Sequence, residues 1–161
     1  MMGRFGFLAA AVLALVLGAC AVGAPASAPE RPQVRQVVST TSFGMCVGYC
    51  STRLEISEAG AVLTRSSRGG RGGANLPDQR FTAALTAGEW EEIARLAANT
   101  SLTGLPDTIG CPDCADGGAE SLTISGAQER TITFEHGATI AQAQPLLERV
   151  RAMRTRLTPA E

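Results

Sequence analysis

The chain has 161 residues, 14 of them basic and 15 acidic, for a net charge of −1 at neutral pH. Every basic residue is Arg, and beyond Cys20 there remain 13 Arg (14 less Arg4) against all 15 acids, a net of −2. A balance this even gives no electrostatic basis for binding nucleic acid, and the length beyond the N-terminal apolar segment suits one domain with a modest core. The aromatic residues beyond that segment are Phe43, Tyr49, Phe81, Trp90 and Phe134, so Leu, Ile, Val and Ala must supply most of the core.

Arg4 is followed by an apolar run, Phe5 to Leu17, of the length of a signal-peptide core. The run ends in Leu17-Gly18-Ala19-Cys20. An aliphatic residue, two small residues and Cys resemble a bacterial lipoprotein signal. The resemblance implies cleavage before Cys20 and lipidation of the Cys20 thiol. A buried methylene is worth about 0.8 kcal/mol, and a single acyl chain holds a protein only reversibly, so more than one chain is expected. Two other readings stand beside it. Phe5 to Ala24 is long enough to span a bilayer uncleaved, and Ala26-Ser27-Ala28 has the form of an ordinary cleavage site, though Pro29 follows it. All three place the remaining chain outside the cytoplasm. Ala21 after the lipidated Cys is, by the same resemblance, compatible with an outer-membrane destination in Gram-negative bacteria. The expected organisation is a signal peptide at 1–19, a lipidated Cys and Ala/Pro-rich tether at 20–33, and one domain at 34–161.

In the domain, Val34 to Phe43 reads as a strand, and Gly44 to Cys50 as a Gly-rich turn. Ser51 to Ser57 alternates with Leu54 and Ile56 on one side. Ala61 to Ser66 returns as its hairpin partner. Arg68 to Gly73 forms a flexible Gly-rich connection; it resembles Arg-Gly-Gly segments but carries no stacking aromatic. Arg80 to Ala84 is a further short strand. Thr86-Ala87-Gly88-Glu89 has capping-box form, and Trp90, Ile93, Ala94 and Ala97 mark a helix over Ala87 to Ala98. Thr100 to Gly118 has no periodicity. Glu120 to Ser125 and Arg130 to Glu135 form a second hairpin with Leu122, Ile124, Ile132 and Phe134 inward. Pro145 opens a last helix with a stripe of Leu146, Val150, Met153 and Leu157, and Arg149, Arg151, Arg154 and Arg156 lie mostly off it. The expected fold is α+β: an antiparallel sheet of four to five strands with two helices on one face.

With Cys20 assigned to lipid, Cys46, Cys50, Cys111 and Cys114 remain. An even number in an oxidising compartment points to disulfides. Loop entropy favours crossed bridges, at about 4 kcal/mol against about 2 for a local one; the tight spacings favour local bridges. The four also loosely resemble a zinc site, with His136 as a substitute ligand. Cys111-Pro112-Asp113-Cys114 has the form of a dithiol redox site, but Ala115-Asp116-Gly117-Gly118 is a poor start for the helix that would activate its first thiol.

Asp113, Asp116 and Glu120 lack calcium-loop spacing and read as solvated loop acids. Glu89, Glu91 and Glu92 are accounted for by the dipole at a helix start. His136, the lone histidine, reads as an exposed residue. No hydrolase, metalloprotease or phosphate-loop motif occurs in the sequence.

Cys46-x-Gly48-x-Cys50, the alternating strand, Gly60-Ala61-Val62 and Leu105-Pro106-Asp107 resemble the bacterial domain-of-unknown-function family 6438 over about residues 34 to 157. That family usually has Pro after the second Cys and Tyr two residues later, where this chain has Ser51 and Arg53, and Cys111 and Cys114 are outside its pattern. Its members are often exported. The resemblance implies the fold, lends no activity, and favours pairing Cys46 with Cys50, which leaves Cys111 for Cys114.

The expected function is that of a cell-envelope lipoprotein facing the periplasm or exterior, with a non-enzymatic binding domain. Its expected partners are the membrane, through the lipid, and a protein or envelope ligand, with no nucleic acid and no cofactor. The alternative is a thiol–disulfide redox protein using Cys111 and Cys114.

Overall fold

The computed structural model describes residues 33–67 and 76–159. The signal segment, Cys20, the tether up to residue 32 and the Arg68 to Gly73 connection lie outside the described residues.

The domain is α+β. Its strands are β1 (Gln36–Ser42), β2 (Ser51–Ser57), β3 (Gly60–Ser66), β4 (Gln79–Ala83), β5 (Thr108–Ile109), β6 (Ala119–Ser125) and β7 (Glu129–Glu135), and its helices are α1 (Ala87–Asn99) and α2 (Gln144–Leu157). The strands form one seven-stranded sheet in the order β4-β3-β2-β1-β6-β7-β5. The expected four to five strands are therefore too few. β1 lies at the centre, with β2 and β6 antiparallel on its two sides, and so fuses both hairpins into one sheet. The sheet is also not wholly antiparallel. Inside the stretch with no periodicity, Thr108 and Ile109 pair in parallel with Thr133 and Phe134 at the edge. Two residues are too short for alternation to register.

Period-2 alternation sets the inner face. Val37 stands opposite Ile56 and Ile124, and Ser39 opposite Leu54 and Leu122. Leu54, Leu63, Leu122 and Ile132 continue this face across the sheet. These side chains join Ile93 and Ala97 of α1 and Leu146, Leu147, Val150 and Met153 of α2 in one buried cluster. Both helices therefore cover the same face. Each fully buried Leu, Ile or Phe is worth about 1.5–3 kcal/mol, so this cluster is the main favourable contribution to the fold.

The helix starts follow local chemistry. The Thr86 hydroxyl accepts the Glu89 N–H at 3.2 Å, and the Glu89 carboxylate accepts the Thr86 N–H at 3.0 Å. This satisfies two backbone donors that the first turn of α1 leaves open. Pro145 sits in the first turn of α2, where its missing N–H costs nothing. The acids of α1 are not explained by the dipole alone. Arg156 of α2 donates to Glu89 at 2.7 Å, and Arg149 donates to Glu92 at 3.0 Å. These pairs tie the helices together along their rim.

Candidate functional site

The register fixes two ends to the sheet. β1 enters beside Ser125 and Ser57 and leaves beside Ala119 and Ser51. The first end therefore receives the chain from Gln33. The second end carries the loop from Phe43 to Cys50, the loop from Gly110 to Gly118, and the end of β7 at Glu135 and His136. Both cysteine pairs lie at this second end.

The first loop closes the β1–β2 hairpin, with the Phe43 N–H on the Cys50 carbonyl at 3.0 Å. Cys46 and Cys50 stand 5.5 Å apart at Cα as a bridged pair. Cys50 is buried, whereas Met45 and Val47 are exposed by 58% and 86%. Tyr49 is half-buried. Its hydroxyl donates to the Pro77 carbonyl at 3.0 Å, and the Arg65 guanidinium lies 5.0 Å from its ring centre.

The second loop is held through backbone groups. The Cys111 N–H donates to Glu135 Oε1 at 3.0 Å, and the Gly118 carbonyl accepts the N–H groups of both Asp113 and His136 at 3.1 Å. Cys111 and Cys114 are also 5.5 Å apart at Cα and bridged, and both are exposed. Only a 3-10 turn, Cys114–Asp116, follows the first cysteine, so no α-helix start lies beneath the Cys111 sulfur. Asp113, Ala115 and Asp116 all have positive φ, at 60°, 51° and 60°. L-residues other than Gly adopt that region only at a cost.

The loops touch. The Gly44 N–H donates to Asp113 Oδ1 at 3.3 Å. The Phe43 ring lies over Gly118 and meets His136 edge-on, with ring centres 4.9 Å apart. Gly118 is required twice: its φ is +84°, and a Cβ there would strike the Phe43 ring. A concavity of about 260 Å³ opens beside the second bridge, lined by Cys111, Cys114, Gly117, Gly118, Glu135 and His136. The meeting of the two loops, which crossed bridges would require, is therefore present, yet each cysteine has its local neighbour at bridging distance.

Beneath this end lies a buried ionic cluster that the sequence reading missed. Glu120, expected as a solvated loop acid, is 1% exposed. It occupies the inner face of β6, in phase with Leu122. Arg151 donates to its Oε2 at 2.8 Å and Arg154 to its Oε1 at 3.3 Å. The Gly137 N–H donates to it at 3.3 Å, Arg151 also donates to the Ala138 carbonyl at 2.9 Å, and Arg154 donates to buried Ser39. Burial pushes the Glu120 carboxyl up, but the Arg151 hydrogen bond, the charges of both Arg residues and the Gly137 N–H outweigh it and hold it below the ordinary value. Strand phase was the available signal: an acid at the position of an inward residue needs a cation.

Asp113, Asp116 and Glu120 do not converge, because Glu120 points into the core. Among the described residues no group of three or more His, Cys, Asp or Glu side chains is arranged to hold a metal ion, and no helix is long and apolar enough to cross a membrane. A second concavity, an open groove of about 1260 Å³, lies at the other end of the sheet between Arg35, Glu58, Trp90, Ala94 and Arg95. No family model and no curated protein matches the chain, so the family resemblance rests on the quoted residues alone.

Proposed function

We propose that the chain is a lipid-anchored lipoprotein of the cell envelope, and that its domain is a non-enzymatic binding module docking a protein partner through the disulfide-bearing end of the sheet. The anchor rests on the Leu17 to Cys20 motif. The observation that carries the docking site is the placement of the cysteine loops. They stand at the end of β1 opposite the one where the chain enters from Gln33. β1 has seven residues, which separates the two ends by about 20 Å. The loop bearing Met45 and Val47 therefore stands at the end of the domain remote from the point where the tether joins it. Two exposed apolar side chains on a loop closed by a bridge form a pre-ordered contact, which lowers the entropy lost on docking.

Two measurements test the parts separately. Cys20→Ala should abolish incorporation of labelled fatty acid and leave the precursor unprocessed at that site; a labelled mutant would overturn the anchor. A photo-crosslinking residue at Val47 of the full chain, in its own envelope, should trap a discrete protein adduct that the same residue at Arg95 does not. Equal trapping at both positions, or none at Val47, would overturn the docking end.

A further inference from the structure

We propose that the Cys111–Cys114 bridge is a thiol–disulfide exchange site for a dithiol partner, and that its opening removes the Asp113 link between the two loops of the sheet end. The inference needs the bridge but not the docking reading.

The two bridges differ in surroundings. Cys50 is 2% exposed, so one sulfur of the first bridge is shielded. Both cysteines of the second are exposed and border the concavity that Glu135 and His136 complete. An attacking thiolate must reach a sulfur along the S–S axis, so access separates labile bridges from inert ones. The chain that closes the second bridge is also strained. Asp113, between the two cysteines, holds a positive φ of 60°, and Ala115 and Asp116 do so just outside the ring. Breaking the bridge frees Asp113 to return to negative φ, which favours the open form.

The exchange balances as follows. A thiolate of the partner attacks one sulfur of the bridge, the Cys111–Cys114 bond breaks, and a mixed disulfide forms while the other cysteine leaves as thiolate. The second thiol of the partner, deprotonated, attacks the mixed disulfide. Cys111 and Cys114 end as thiols, reduced by two electrons and carrying the two protons of the partner's dithiol, which ends as a disulfide. The structural consequence runs through Asp113, which sits between the two cysteines and accepts the Gly44 N–H. When the loop relaxes, that hydrogen bond loses its fixed acceptor, and the two loops then meet only through Phe43 against Gly118 and His136.

The test uses the full-length protein in detergent, titrated with dithiothreitol, with free thiols alkylated and mapped by mass spectrometry. Cys111 and Cys114 should become labelled at a dithiothreitol concentration at least about ten-fold lower than Cys46 and Cys50. The Gly44 amide should exchange faster with solvent in the partly reduced protein. Opening of Cys46–Cys50 first, or simultaneous opening of both, would overturn the proposal. So would four free thiols in protein taken from the envelope under alkylating conditions.

Discussion

Asp113 accepts the backbone N–H of Gly44 at 3.3 Å and so joins the two cysteine loops across 69 positions of sequence. The contact is exposed, so its net worth is about 1 kcal/mol or less. Asp113→Ala should lower stability by about 1 kcal/mol, part of it from placing Ala at φ 60°. Asp113→Asn keeps an acceptor oxygen and tolerates that backbone, and should cost less. Amide exchange at Gly44 reads the coupling directly: it should rise in the Ala variant and stay near its original rate in the Asn variant.

Gly118 and Phe43 form the tighter junction. Gly118→Ala meets both a positive φ of +84° and the Phe43 ring, with the Ser42 carbonyl 3.1 Å from the new Cβ. A loss of about 3 kcal/mol is expected in urea unfolding, from the backbone cost and overpacking together. Phe43→Ala in the same background should restore part of it, giving a positive coupling in a double-mutant cycle. Strict additivity of the two changes would show that the ring and the glycine do not compete for space.

Glu120 balances two Arg side chains that are themselves only 24% and 13% exposed. Glu120→Ala leaves Arg151 and Arg154 facing each other without their shared anion. Removing one partner from a buried pair costs about 3–5 kcal/mol, and the lower end applies here because Arg151 retains some access to water. Denaturant midpoints of the wild type and the variant measure it. A loss below about 1 kcal/mol would mean that the Arg side chains swing out to solvent without penalty.

The acid limb of stability should report the same charges. The Arg156 hydrogen bond, with the Thr86 N–H next, pulls the Glu89 carboxyl from 4.5 down to about 2. Glu120 is displaced downward too, since its Arg partners outweigh its burial. Folded values below unfolded ones mean that this stability is complete above about pH 4.5 and is lost as pH falls through the folded values, for Glu89 about 2. The urea midpoint should hold steady from about pH 6 to pH 5 and decline by about pH 3. Glu89→Gln should flatten part of that decline. An unchanged midpoint across the whole range would contradict the assignment.

Local rules carried the individual elements. Alternation in Ser51 to Ser57 marks β2 with the bounds it has, and Thr86 with Glu89 marks the start of α1, because strand phase and capping depend on residues within one turn or one pleat. The paired spacings of Cys46 with Cys50 and Cys111 with Cys114 are equally local. Contacts between distant segments were not legible in this way. β5 has two residues and exists only because β7 offers an edge. The central place of β1 depends on partners from both halves of the chain. Arg151 and Arg154 sit off the apolar stripe of α2, as the spacing indicated, but turn toward Glu120, which lies 31 and 34 positions away. The cysteine loops meet because β1 and β7 end, and β6 begins, at the same end of the sheet, so that Phe43, Gly118 and His136 meet there. Sequence patterns report which face or turn a residue occupies. Which charges and loops then face one another is decided by the order in which the strands pair.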